Sequence, residues 1–403
     1  MTSLSMRLRH LVAAAVAATL LLTATPAAGA VLDADYVGSV QVGKKAELRA
    51  VAPDLYIPSG VLTTIDGRTL WARDPESQRA MASTTKIMTA VVVLENANLD
   101  DVVAVDKRAA RVGESSMGLV NGEKFTVRDL LKGVLIQSGN DAATLVAEHV
   151  GGSVDNFVEM MNAKAAALDL KDTHYANPHG LDAKGHHTSA DDLVSLARYA
   201  MRNPDFRAIV ATYKTKVRSD LYTHSLTNHN SLLKSYRGAE GVKTGNTSDA
   251  GYCIVFAADR NGVELVGAVM GAATPGGRAQ QTKKLFDWGF KHYKLTSLLD
   301  AGQRFGRVPV SDYMERTVGA ISAEATSAAV FDLAGEVKQR IDLRKSVPAP
   351  VKAGETVGTL TIYQGKTVLR QVALVADKDI PAPSFGQRVV FFFGKLWRGI
   401  FGS

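Results

Sequence analysis

MASTTKIMTA, residues Met81 to Ala90, sets a lysine three positions after a serine at the head of an apolar run. Two readings compete for it. Ser83 can cap a helix N-terminus, which leaves Lys86 on the solvent face. Or Ser83 and Lys86, one turn apart on one helix face, are a nucleophile and its base. The spacing alone does not separate these readings, because S-x-x-K arises by chance in any long chain.

Two other stretches bear on the choice. Ser138-Gly139-Asn140 lies between two helical patterns in LIQSGNDAATLVAEH, and Lys243-Thr244-Gly245 opens a strand expected to continue to Cys253 and Ile254. Each has a bland reading: a loop with Asp141 as helix cap, and a polar strand end. Together they give S-x-x-K, S-x-N and K-T-G in chain order, the set of the serine acyl transferases. The chemistry suits the residue types. A serine hydroxyl is a poor nucleophile until a base takes its proton, and lysine is a base only as the neutral amine. Burial and a nearby cation both lower a lysine pKa. Ile87 and Met88 make an apolar setting for Lys86, and Lys243 is the candidate second cation.

The surrounding pattern is α+β. VLTTIDGRTLWAR reads as a hairpin turning at Asp66-Gly67, and a second hairpin pairs Tyr252–Ala258 with Val263–Met270 through Asn261-Gly262. Helical periodicity covers Thr84–Asn96, Val127–Gln137, Asp141–His149, Val154–Leu168 and Ala190–Arg202, and a closing helix runs from about Arg278 to Tyr293. Hairpins on either side of the helices predict one antiparallel sheet, built from both ends of residues 56–295 and flanked by helices. Residues 31–55 read as a leader without periodicity. Residues 296–380 read as a small all-β domain, with a turn at Gln364-Gly365.

Both ends of the chain carry targeting patterns. Arg7 and Arg9 precede an apolar run from Leu11 to Leu22, followed by Ala28-Gly29-Ala30. Residues 1–30 are therefore expected to be a cleaved signal peptide, and the protein to be exported to the outer face of the cytoplasmic membrane. The whole chain of 403 residues carries +7, so the mature chain, without those two arginines, carries +5. No basic run dominates, which excludes nucleic acid as the expected partner. The single cysteine, Cys253, allows no internal disulfide and reads as a buried strand residue. After Pro381-Ala382-Pro383, residues 384–403 form a basic amphipathic helix. Phe385, Val389, Val390, Phe392, Phe393, Leu396, Trp397, Ile400 and Phe401 share one arc, and Phe391 strays from it. That stretch is too short and too charged to span a bilayer and suits a membrane surface.

Residues 56–295 resemble the serine-type D-alanyl-D-alanine carboxypeptidases, the low-molecular-mass penicillin-binding proteins of the DD-peptidase/β-lactamase superfamily. Besides the three motifs, the resemblance rests on Asn177-Pro-His-Gly-Leu-Asp182, Thr188-Ser-Ala-Asp-Asp-Leu193, Asn228-His-Asn-Ser-Leu-Leu233 and Asp287-Trp-Gly-Phe290. The β-rich domain and the tail are similar to those of membrane-attached members. The resemblance implies an acyl-enzyme on Ser83 with Lys86 as base, Ser138 as proton relay and Asn140 holding the substrate amide. It implies Lys243, Thr244 and Arg278 at the terminal carboxylate, and backbone N–H groups of Ser83 and of Asn246, just past Gly245, as oxyanion donors. The substrate implied is the peptidoglycan stem pentapeptide, β-lactams are covalent inhibitors, and no cofactor is called for.

Met81 stands where members often carry proline, and Asn246 where side chains vary; neither change removes a reacting group. Three rivals are weaker. His174, His179, His186 and His187 with Asp182 match no zinc motif, so no metal is expected. Glu159, the nearest candidate for a deacylating glutamate of β-lactamase type, lies in a helical pattern. A wall-binding protein with decayed catalysis is disfavoured by the complete motif set.

Overall fold

The computed structural model describes residues 36–40 and 52–401. The expected signal peptide and most of the leader lie outside the described residues. Two compact units form: one holds residues 52–296 with 329–335, the other 36–40, 297–328 and 336–401.

The first unit is built on a five-stranded antiparallel sheet. Its order is Thr69–Arg73, Ser59–Thr64, Val263–Ala272, Gly251–Arg260, Ala239–Thr247. Early and late strands thus share one sheet, as the hairpin pattern predicts. Asn261 and Gly262 adopt φ +57° and +76°, the paired left-handed turn that matches strand twist. Both faces of the sheet are covered, and the alternation along one strand shows how. Cys253, Val255 and Ala257 point into the core shared with the helices Lys86–Asn96, Asn140–Gly151 and Ala190–Ala200. Ile254, Phe256 and Ala258 point the other way, toward the closing helix Pro275–His292. A strand buried on both faces reads as a continuous apolar run, which is how this one appears in the sequence.

Several boundaries differ from expectation. Lys243 does not open the strand that carries Cys253. It sits inside the edge strand Ala239–Thr247, and Gly245 pairs across to Cys253 on the next strand. The chain turns between them because Thr247 Oγ1 accepts from the Ala250 N–H and Asp182 holds the Asp249 N–H. The closing helix starts at Pro275, capped by Thr274, whose side chain accepts from the Gly277 N–H. Sequence periodicity also missed the helix Pro204–Val210 and the hairpin Lys214–Arg218 with Thr223–Thr227.

The second unit is a six-stranded antiparallel sheet in the order Tyr36–Val40, Val337–Leu343, Thr356–Gln364, Thr367–Ala376, Thr317–Ser322, Arg304–Pro309. Part of the expected leader is thus a strand, completed by pairing with residues 337–341. Residues 329–335 return to the first unit, where Phe331 packs edge-on against Trp288 at 5.9 Å. The terminal helix spans Phe385–Phe401. Among the described residues, no helix is long and apolar enough to cross a membrane.

Candidate active site

Lys86 is fully buried, which removes the solvent-face reading. Its Nζ lies 3.0 Å from Ser83 Oγ and donates to Asn140 Oδ1 at 2.6 Å and to the His179 carbonyl at 2.6 Å. As a neutral amine it keeps its lone pair for the serine hydroxyl. Burial, and then the charge of Lys243, hold this amine well below the ordinary lysine value, against the opposing pull of Asp141 and Glu114. Lys243 is buried too, and burial with the neighbouring Arg278 brings it down to about 7. The first two motifs therefore meet at one nitrogen, and the third adds a neighbouring cation to what burial already does to it.

Ser83 does not cap the long helix. It lies in a single 3₁₀ turn, Ala82–Thr85, that precedes Lys86–Asn96 and has no side-chain cap. Just before it, Ala82 is held at φ +49°, a left-handed conformation that costs a non-glycine residue about 1–2 kcal/mol. Its neighbours over-determine that geometry. The Thr85 hydroxyl donates to the Ala82 carbonyl at 2.8 Å. The Ala176 N–H donates to His186 Nδ1 at 3.0 Å, which leaves the imidazole proton on Nε2 to bond Thr85 Oγ1 at 2.8 Å. Burial lowers His186 to about 4, so this tautomer persists at neutral pH. Gly180 and Gly245 close the turn from either side. A Cβ on Gly180 would fall 2.1 Å from the Ala82 oxygen, and one on Gly245 2.7 Å from the Ser83 nitrogen.

The facing wall follows from a distorted helix end. Residues Gly133–Gln137 form a π turn that stops at Ser138, in the left-handed conformation at φ 63°. Asn140 then starts the next helix. Its Oδ1 accepts from Lys86 and its Nδ2 donates to the Gly113 carbonyl at 2.9 Å. Ser83, Ser138, Asn140, Thr244, Gly245, Asn246 and Arg278 line one cleft. Arg278 is 9% exposed and donates to the carbonyls of Gly245 and Cys253, both at 3.4 Å, so its cation is fixed behind the edge strand. The cleft thus has a nucleophile at its centre backed by a buried amine, and cations at one end. That is an arrangement for attack on a carbonyl beside a carboxylate.

A family model described as D-alanyl-D-alanine carboxypeptidase matches residues 50–274, and one described as penicillin-binding protein 5, C-terminal domain, matches residues 293–382. The chain belongs to this carboxypeptidase family. It is 33% identical over 338 residues to D-alanyl-D-alanine carboxypeptidase DacF of Bacillus subtilis, covering 81% of this chain and 86% of the relative. It is 30% identical to DacA of Escherichia coli, over 83% of this chain and 86% of that one. Among solved structures it resembles the Streptomyces K15 DD-transpeptidase, with TM-score 0.58 and 34% identity over 59% of this chain and 98% of that one. It also resembles DacD of Francisella tularensis, with TM-score 0.62 and 25% identity over 85% of this chain and 98% of that one.

Of the nine residues singled out in the sequence, eight line the cleft or sit at its central amine, and Lys243 is buried next to the lining residue Thr244, to whose carbonyl its Nζ donates. Others carried no motif. Buried Asp141 accepts from the N–H groups of Met117 (2.9 Å), Gly118 (3.0 Å) and Leu119 (3.1 Å) and from the Ser116 hydroxyl (2.6 Å). It thereby holds the loop that places Glu114 and Ser115 on the rim. Its position beside Asn140 was the signal available, and a helix cap was the competing explanation. His179 and His186, weighed as zinc ligands in the sequence and set aside, serve the Lys86 and Ser83 turns. Among the described residues, no group of three or more His, Cys, Asp or Glu is placed to hold a metal.

Proposed function

We propose that this protein is a serine D-Ala-D-Ala carboxypeptidase of the cell wall that removes the terminal D-alanine of peptidoglycan stem pentapeptides. One observation carries the reading: Lys86 Nζ, stripped of water and set against a second cation, lies 3.0 Å from Ser83 Oγ. The substrate carboxylate meets Lys243, Thr244 and Arg278. Lys86 takes the Ser83 proton as Oγ attacks the penultimate carbonyl, and the N–H groups of Ser83 and Asn246 receive the developing oxyanion. Asn140 keeps Lys86 in place and has one N–H left for the substrate. Ser138 passes the proton to the leaving nitrogen, so the amide breaks as the ester forms. Water then releases the acyl group by the reverse proton path. A β-lactam enters the same ester and leaves slowly.

The test is release of D-alanine from a peptide ending in D-Ala-D-Ala. Ser83→Ala should lower it by at least about 10⁴-fold and abolish penicillin labelling. A protein that labels with penicillin yet frees no D-alanine would sink the reading. Transfer of the acyl group to an added amine would mark the transpeptidase outcome suggested by the K15 neighbour.

The export signal and the tail point to the outer face of the cytoplasmic membrane. Phe385, Val390, Phe392 and Phe393 remain 62–84% exposed on the terminal helix. Phe391, off their arc, and the edge of Val390 line a groove with Tyr313 and Met314, while the three phenylalanines lie outside it. This supports a helix that leaves its apolar face for a lipid surface. Deleting residues 384–403 should free the protein from membranes and spare activity on soluble peptide. Loss of that activity would instead assign the helix a structural role.

A further inference from the structure

Two titratable side chains of the cleft, Glu114 and His229, have no part in the steps above, and His229 is the one set among the cations. His229 lies on the cleft wall with Ser138, Thr244 and Arg278. Its backbone is pinned from both sides by buried asparagines. Asn228 Nδ2 donates to the carbonyls of Val210 (3.4 Å) and Thr212 (3.2 Å), and Asn230 Nδ2 donates to the Gly241 carbonyl on the edge strand (3.2 Å). The Asn230 N–H closes the loop onto Asn228 Oδ1 at 2.9 Å. The imidazole is thus presented to the cleft by a rigid support, while no ladder or core contact requires a histidine there.

The charged groups that face it come from every element around the cleft. Lys243 belongs to the edge strand, Arg278 to the closing helix, Lys86 to the Ser83 helix, and Glu114 to the loop on the rim. The residue is exposed at the cleft, yet desolvation by the cleft walls, and then the cations Lys243, Arg278 and Lys86, hold this imidazole below its ordinary value. With these cations beside it, the His229 imidazole is disfavoured from taking a proton. A carboxylate docked between Lys243 and Arg278 reverses the local field and supplies an acceptor for an imidazolium N–H.

We propose that His229 is a third, titratable arm of the carboxylate-binding end of the cleft, protonated as the peptide terminus docks, so that substrate affinity strengthens as pH falls. The inference rests on the carboxypeptidase reading and names the residue that sets its pH-dependent affinity. Linkage fixes the sign. The bound state has the higher imidazole pKa, so binding takes up a proton and tightens toward acid. If docking raises that pKa by one unit, affinity below the free value exceeds affinity above the bound value about tenfold.

The experiment is calorimetric titration of an N-acetylated tripeptide ending in D-Ala-D-Ala into the full Ser83→Ala protein. It is run from about pH 5.5 to about pH 8.5 in buffers of different ionisation heat. Proton uptake is expected across the range, with Lys243 supplying the part near neutrality. Adding His229→Gln should remove the acid part and about tenfold of the acid affinity gain. Adding His229→Arg, a permanent cation, should keep acid affinity and flatten its pH dependence. Unchanged proton uptake in the His229→Gln protein overturns the proposal alone. Absence of peptide binding by the Ser83→Ala protein at every pH overturns the carboxypeptidase reading with it.

Discussion

Lys86 and Glu123 are both fully buried in the same unit, and their surroundings treat them in opposite ways. Burial pushes the Glu123 carboxyl up, but its partners outweigh that. Ser219 Oγ donates at 2.6 Å, the Val120 N–H at 2.7 Å, and His224 Nε2 lies at 2.7 Å, so the carboxyl ends below its ordinary value. Lys86 also has three partners, yet burial and then the charge of another cation outweigh them, and it ends far below the ordinary lysine value. Glu123 is kept charged and ties the hairpin Lys214–Thr227 to the loop before residue 124. Lys86 is kept from its charge. A buried ionisable group held in its charged form is a brace, and one driven off its charge is a reagent.

The comparison breaks most visibly at Lys86. Lys86→Met should lower acylation by penicillin by about 10³–10⁴-fold. It should leave the melting temperature unchanged or raise it, because a buried amine is replaced by a side chain of similar volume. Glu123→Ala should do the reverse. It strands His224 and Ser219 and costs about 3–5 kcal/mol, while acylation per folded molecule stays near the wild-type rate. Stopped-flow acylation beside thermal melting reads both. If Lys86→Met melts far lower, or Glu123→Ala acylates slowly while folded, the two sites do not differ in kind.

Acid separates them next. Glu123 has a depressed carboxyl, so its contribution is present above the ordinary carboxylate range and is lost as pH falls through the folded value. Melting temperature should drop between about pH 5 and about pH 3, and drop less in Glu123→Gln. Equal losses in the two proteins would remove Glu123 from the account of acid stability.

The same contrast explains what could be seen in the sequence. Acyl transfer needs a serine, a lysine and backbone donors at fixed offsets on one helix and one edge strand. That chemistry leaves a local signature in Ser83-x-x-Lys86, Ser138-Gly-Asn140 and Lys243-Thr-Gly245. The fold was legible for a related reason, since Asp66-Gly67 and Asn261-Gly262 punctuate hairpins by φ alone. A brace leaves no signature. Glu123 and His224 stand 101 residues apart, and nothing at either position predicts the other. The strand Tyr36–Val40 is completed only by residues about 300 positions away. Asp141 was hidden by its own ambiguity, because an acid at a helix start is explained locally by a cap. Ala82 was hidden because its backbone strain is imposed by Thr85, Gly180 and Gly245, not chosen by alanine.

Lys243 gives the finest test, because it is buried like Glu123 but faces a like charge, Arg278. Its folded value of about 7 lies below the 10.5 of an ordinary lysine. Between those values the unfolded chain holds a proton that the folded chain has released. Stability therefore rises with pH across that window, and the cost of the buried charge is felt in full below it. The wild-type melting temperature should climb by a few degrees from about pH 7 to about pH 9. Lys243→Met should flatten part of that climb, leaving the share that belongs to Lys86, and should melt higher than wild type at pH 7. A full climb in Lys243→Met would mean that Lys243 keeps its proton in the folded protein near neutrality. In that case Lys243 would be a second brace, a standing cation anchored for the substrate carboxylate, and its charge would share with burial the lowering of the Lys86 amine at every working pH.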